Sequence, residues 1–252
     1  MWKNSPARTS GACWNVYNHA VAQRNHILRV GIDDAPPVPM QIGTPESGDF
    51  HGYEVDLLQQ LAKRLDFNIQ YRRALWSVIV GELSSGGLDL VCSAATVTAE
   101  RARKVDFCAP HLKLSLALVT REELSADPDI SASRVGVRHG TTAAAYLLHR
   151  SGGKEAAMLS ESNEDLYSAL ARGMLDGVID DSPIALYYSR ANPGLKYAYR
   201  FEGTEGEYAV MIRRGNTSLR DQINVTLAQM EFDGTLPSLR RIWFGSENLF
   251  IA

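Results

Sequence analysis

A compact apolar run of strand length that ends in two acids occurs twice in this chain, as ILRVGIDD (27–34) and as LDGVIDD (175–181). A run of this kind reads as a buried strand that delivers polar side chains at one end only. Helical patterns surround both runs, so the chain is expected to build two units of alternating strand and helix. Strands alternating with helices imply an α/β fold, with mostly parallel sheets and right-handed crossovers. In such open sheets ligands collect at the carboxyl ends of the strands.

In the first unit the strand ends at Asp33. The segment APPVPMQIGTPESGD (35–49) then carries four prolines and two glycines and reads as an extended loop. FHGYEVDLLQQLAKRL follows, with Val55, Leu58, Leu61, Ala62 and Leu65 at helical spacing. NIQYRRAL reads as a second strand, SVIVGELSSGG as a short helix stopped by Gly86 and Gly87, and LDLVCSA as a third, buried strand. This order places Asp33, Trp76 and Ser93 near one sheet edge. In the second unit SRVGVRHG is strand then turn, TTAAAYLLHR and EDLYSALARG are helices, and LDGVIDD is the closing strand. LKLSLALVTREE between the units and EYAVMIRRG after them read as two crossings, which together make a hinge. Residues 1–27 are expected to form an N-terminal extension with a short helix from Trp14 to His26. Residues 28–116 with 207–252 form the first lobe, and 117–206 the second.

With 26 basic and 29 acidic side chains among 252 residues, the net charge of −3 gives no reason to expect nucleic acid or an anionic membrane as partner. No stretch approaches the roughly 18 consecutive apolar residues of a membrane span. The N-terminal MWKNSPARTSGACWNVYNHAVAQRNH lacks an apolar signal-peptide core. The three cysteines, Cys13, Cys92 and Cys108, are too few for a disulfide scaffold and show no metal-ligand spacing. The six histidines form no i, i+4 ligand pair, and no G-x-S-x-G or phosphate-loop sequence occurs. Neither a metal centre nor a cofactor is expected.

Three segments carry candidate chemistry. In CSAATVTAERARKVDF, Thr98 reads as a helix N-cap and Arg101 projects from the first turn, beside the hydroxyls of Ser93 and Thr96. A guanidinium fork near free N–H groups suits a carboxylate; alternatively, Arg101 pairs with Glu100 or Asp106 on the surface. In VGVRHGTTAAAYL, Gly140 permits a tight turn and Thr141 and Thr142 open a helix, near Arg138. In IDDSP, Asp180 and Asp181 end a strand before Pro183, as ammonium ligands or as helix caps. No His or Cys lies near them to complete an acid–base pair or a metal site.

The order of these motifs closely resembles the polar amino-acid-binding proteins of ABC importers, with the type II periplasmic-binding-protein fold, from about Leu28 to Gly245. The most specific elements are Ser93-x-x-Thr96-x-Thr98-x-x-Arg101 and the terminal FDGTLPSLRRIWFG. The resemblance implies a two-lobed receptor with the ligand in an interlobe cleft, a periplasmic or extracellular location, and an ABC permease as partner to a monomer. It implies that Arg101 clamps the ligand α-carboxylate, helped by Thr96, the backbone around Ser93 and Ala94, and Thr142. Asp181 would take the α-ammonium, Trp76 would cover the ligand, and Asp33 would face its side chain.

Two departures from the family pattern stand out. The usual aromatic after the first-strand aspartate is absent from Asp34-Ala35-Pro36-Pro37-Val38-Pro39-Met40, and Cys92 and Cys108 form an unusual pair. Arg138 and Asp180 either pair with each other or face the ligand, where an inward cation would disfavour basic ligands and favour polar or acidic ones. Two other functions share this fold: the ligand-binding module of a larger sensor, and a cyclohexadienyl-dehydratase-like enzyme. The latter needs a general acid in the cleft, where this chain keeps the receptor's acid at Asp181.

Overall fold

The computed structural model describes residues 26–124, 133–153 and 157–245. The helix expected over Trp14 to His26 lies outside these residues up to Asn25; His26 itself opens strand β1 (His26–Asp33). Leu28, Val30 and Ile32 of β1 are all buried, as its apolar pattern requires. The proline-rich segment follows as a loop with one short turn of 3-10 helix at Pro45–Ser47, capped by Thr44. Helix α1 (Tyr53–Leu65) then buries Val55, Leu57, Leu58 and Leu61. Strand β2 (Phe67–Ala74) lies parallel to β1, and helix α2 (Trp76–Ser85) ends at Gly86 in the left-handed region.

Strand β3 (Leu90–Val91) is shorter than LDLVCSA suggests. Ala94 adopts a positive φ of 49°, which turns the chain off the sheet, and its N–H donates to Glu54 Oε2 at 2.7 Å instead of to a neighbouring strand. Helix α3 (Ala99–Ala102) starts at Thr98, whose hydroxyl accepts from Arg101 N, and strand β4 (Asp106–Phe107) follows. Strands β5 (Leu112–Leu114) and β6 (Leu116–Arg121) carry the chain across to the second lobe.

That lobe contains β7 (Val135–Arg138), α4 (Thr142–Arg150), β8 (Met158–Ser160), α5 (Asn163–Ala171), β9 (Gly177–Asp181), α6 (Ser182–Ala191) and β10 (Leu195–Arg200). The chain returns through β11 (Gly206–Tyr208) and β12 (Met211–Ile212) and finishes with α7 (Thr217–Phe232) and α8 (Thr235–Phe244).

The result is a two-lobed α/β fold. One five-stranded sheet has the order β2-β1-β3-β12-β4, the other β10-β6-β9-β7-β8. In each, the parallel strands of the β-α-β units are completed by antiparallel strands that enter or leave by the crossings. The crossings also pair with each other: β5 and β11 form an antiparallel ribbon, with Gly206 opposite Leu114 and Tyr208 opposite Leu112. Apolar clusters pack on both faces of each sheet, so each lobe has its own core. No helix among the described residues is long and apolar enough to cross a membrane.

Candidate functional site

The strand ends of the two sheets face each other across a narrow cleft. From the first lobe it receives Trp76 at the start of α2, Ser93 and Ala94 after β3, then Thr96, and Arg101 from α3. The second lobe contributes Arg138 at the end of β7, Thr141 and Thr142 at the start of α4, and Asp180 and Asp181 at the end of β9. Asp33 lies just beneath, at the end of β1, where its N–H donates to Ser93 Oγ at 3.1 Å and its Oδ1 accepts from Ala35 N at 3.0 Å.

Arg101 does not pair with Glu100 or Asp106. One guanidinium nitrogen donates to Thr96 O at 2.7 Å, the other to Gly140 O in the opposite lobe at 3.1 Å. The guanidinium carbon lies 4.8 Å from the centre of the Trp76 ring, and the Trp76 indole N–H donates to the same Gly140 carbonyl at 3.0 Å. A cation over an indole face is attracted by the ring's negative π-cloud. Trp76 therefore fixes the plane of the fork, and partial desolvation lowers the Arg101 pKa against the opposing pull of Asp181.

Asp181 faces this fork from the other lobe. Its carboxylate accepts from Tyr208 Oη at 2.7 Å and from the hydroxyls of Thr96 and Thr142 at 3.4 Å each. Burial raises its pKa, while Tyr208, Arg101 and the two threonines hold it down against that shift. Although Asp181 occupies the N-cap position of α6, its side chain makes no capping bond, so it is free of that structural duty. Thr141 is the side chain that caps: its hydroxyl accepts from Ala144 N and donates to Arg138 O, which leaves Thr142 for the cleft.

Arg138 and Asp180 do not pair with each other, because each is already engaged elsewhere. An Arg138 guanidinium nitrogen donates to Asp33 Oδ2 at 2.5 Å across the lobes and to Ala35 O at 3.2 Å, while Nε donates to Glu161 O at 2.8 Å. Both partners of the ion pair are buried, and burial raises Asp33 to about 6 even with Arg138 beside it. The Arg138 charge is thus neutralised within the protein. Asp180 accepts from Asn163 Nδ2 at 2.9 Å, Tyr167 Oη at 3.3 Å and Asp181 N at 2.8 Å. Burial, reinforced by the charge of Asp181, pushes it up to about 8.

Sequence reasoning missed Pro37, Asn163 and Ile184 in the cleft wall, and Tyr167 and Tyr208 as donors to the two aspartates. Asn163 reads from sequence only as the first residue of a helix, and Tyr208 only as part of a crossing strand. Cys92 and Cys108 are both buried free thiols.

Two α/β lobes, a paired crossing between them, and polar groups converging from both on one cleft define a two-lobed binding protein of the type II periplasmic fold. The chain belongs to the bacterial extracellular solute-binding proteins, family 3, whose profile it matches over residues 28–246. The L-cystine-binding protein TcyJ of Escherichia coli (strain K12) is 27% identical over 232 residues, covering 90% of this chain and 85% of that protein. An ancestral arginine-binding protein bound to glutamine has a similar structure, with a TM-score of 0.78 at 29% identity, covering 87% of this chain and 98% of that one. An ancestral amino acid-binding protein, a precursor of cyclohexadienyl dehydratase, gives a TM-score of 0.77 at 28% identity, covering 86% of this chain and 95% of that one.

Proposed function

We propose that this chain is an extracytoplasmic receptor that binds one free amino acid between its lobes and presents it to an ABC permease. The observation that carries this reading is the opposition of Arg101 and Asp181 across the cleft, with the hydroxyls of Thr96 and Thr142 beside them. A guanidinium fork and a carboxylate facing each other are a complementary receptor for the two ends of a zwitterion. In a cleft that excludes water such charge-assisted contacts are strong and selective. Arg101 takes the α-carboxylate and Asp181 the α-ammonium. Trp76 covers the ligand, and Ser93 and Ala94 line its carboxylate side.

The charges of the remaining groups point to the side chain. Arg138 is cancelled by Asp33, so it does not act as an open cation toward the ligand. Asp180 has both carboxylate oxygens engaged by Asn163, Tyr167 and the Asp181 N–H within its own lobe. Neither group has its charged atoms open to the side chain, which favours a neutral polar amino acid over glutamate or arginine. This narrows the polar-or-acidic expectation, because its premise was an unpaired Arg138.

The neighbouring precursor of a dehydratase makes an enzyme the second reading to test. Here Asp181 is surrounded by three hydroxyl donors, which favour the ionised carboxylate and suit an ammonium partner better than a proton-donating role. A thermal-shift screen of the twenty amino acids and cystine tests the receptor, since a ligand specific for the folded state raises the midpoint by mass action, about 2.7 kcal/mol at 100 times Kd. A shift with neutral polar amino acids that disappears in Arg101→Ala supports the reading. Retained affinity in Arg101→Ala, or turnover of prephenate or arogenate abolished by Asp181→Ala, overturns it.

A further inference from the structure

Behind the cleft, three side chains that amino-acid binding does not use meet inside the first lobe. Glu54 stands in the first turn of α1, Cys92 follows β3, and His111 precedes β5. All three are buried, with exposures of 0%, 0% and 1%. A carboxylate oxygen, the Cys92 sulfur and an imidazole nitrogen all lie within 4.8 Å of one another. Glu54 Oε1 stands 3.5 Å from His111 Nε2, yet neither atom forms a hydrogen bond, and neither does His111 Nδ1. Buried polar atoms are almost always paired, so three such atoms in one place require an explanation.

The rest of each residue is firmly held. Glu54 Oε2 accepts from Ala94 N at 2.7 Å, and Cys92 O accepts from Gln41 Nε2 at 2.7 Å. The carbonyl of His111 accepts from Tyr53 Oη at 2.8 Å and Arg240 Nε at 3.1 Å, and its N–H donates to Tyr208 O at 2.9 Å. The anchors fix the positions while leaving potential ligand atoms directed at one another. They hold the main chain at Cys92 and His111 and one carboxylate oxygen of Glu54.

We propose that Glu54, Cys92 and His111 form a structural site for a divalent ion of the zinc class, tying the start of α1 to the end of β3 and to the crossing strand β5. A thiolate, a carboxylate and a neutral imidazole carry two negative charges, so a divalent ion leaves the buried cluster neutral, as a low-dielectric interior demands. The mixed sulfur, nitrogen and oxygen set suits zinc and excludes magnesium and calcium, which take oxygen ligands. Zinc bonds of about 2.0–2.3 Å place tetrahedral ligand atoms roughly 3.3–3.8 Å apart; Glu54 Oε1 and His111 Nε2 already stand 3.5 Å apart, and the Cys92 sulfur lies within 4.8 Å of ligand atoms of both. The residues are separated by long stretches of sequence, so no local spacing announces the site. The inference is independent of which solute the cleft takes.

The test uses the full chain carrying Cys13→Ala, refolded with Co2+ because the site is enclosed, with circular dichroism to confirm folding. One Co2+ per chain is expected, with a near-ultraviolet thiolate-to-cobalt charge-transfer band that is absent when the chain is refolded with Zn2+ in place of Co2+. Cys92→Ser should remove the band, His111→Gln should weaken cobalt binding at least about tenfold, and Cys108→Ala should change neither. Folded protein that takes up no stoichiometric cobalt, a band that survives Cys92→Ser, or one lost in Cys108→Ala overturns the assignment. Should Cys92→Ser fail to fold, X-ray absorption on the zinc-refolded Cys13→Ala chain decides. One sulfur at about 2.3 Å among nitrogen and oxygen neighbours supports the site, and a shell without sulfur refutes it.

Discussion

The side chains at the cleft divide into those proposed to meet the ligand and those that hold others in place, and the two kinds differ in how far sequence reveals them. Arg101, Thr142 and Asp181 stand at strand ends and helix starts, positions that local patterning identifies. The partners of Asp33 and Asp180 are fixed only by folding: Arg138 reaches Asp33 from 105 residues away and from the other lobe. Substituting Arg101 by Lys keeps the charge but replaces the planar fork with a point donor. About a 10- to 100-fold loss of amino-acid affinity is expected by titration calorimetry, corresponding to about one charge-assisted hydrogen bond of 1.5–3 kcal/mol. Affinity should also fall on acidification. Protonating Asp181 would remove the charge proposed to pair with the ligand ammonium, and because burial raises its pKa the decline should begin above the ordinary carboxylate range. Calorimetry from pH 8 to pH 4 checks this; a flat profile would exclude Asp181 as the ammonium partner.

Most helices and strands were legible from periodicity, because apolar spacing at 2 or 3.6 residues is set by which face must be buried. The shortened β3 was not, since its end depends on Ala94 turning toward Glu54, a contact made 40 residues away in sequence. Helix α2 contains Gly81 with nothing within 4 Å of where a Cβ would stand. A glycine inside a helix costs roughly 0.5–1 kcal/mol relative to alanine through backbone entropy. Gly81→Ala is therefore expected to raise Tm by about 1–4 °C without changing affinity, as scanning calorimetry would show. At Gly31 the same change should destabilise, because the added carbon would stand 2.5 Å from Leu88 Cδ1 and 2.8 Å from Val91 Cγ2.

At the scale of the whole molecule, the Asp33–Arg138 pair joins the lobes without the ligand. Removing one partner of a buried pair leaves the other uncompensated, at a cost of about 3–5 kcal/mol. The lobes can avoid that cost by separating, so Asp33→Asn is expected to enlarge the ligand-free radius of gyration in small-angle scattering and to weaken binding, with the secondary structure unchanged. An unaltered radius together with unaltered affinity would show that the pair has no part in closure. The ribbon of β5 and β11 would also constrain any opening of the lobes. Two strands hydrogen-bonded side by side resist sliding and twisting far more than they resist bending across their width. Of the six rigid-body degrees of freedom between the lobes, one angle is therefore expected to be soft. A single interlobe distance, followed by a pair of spectroscopic labels, should then track the opening as one coordinate.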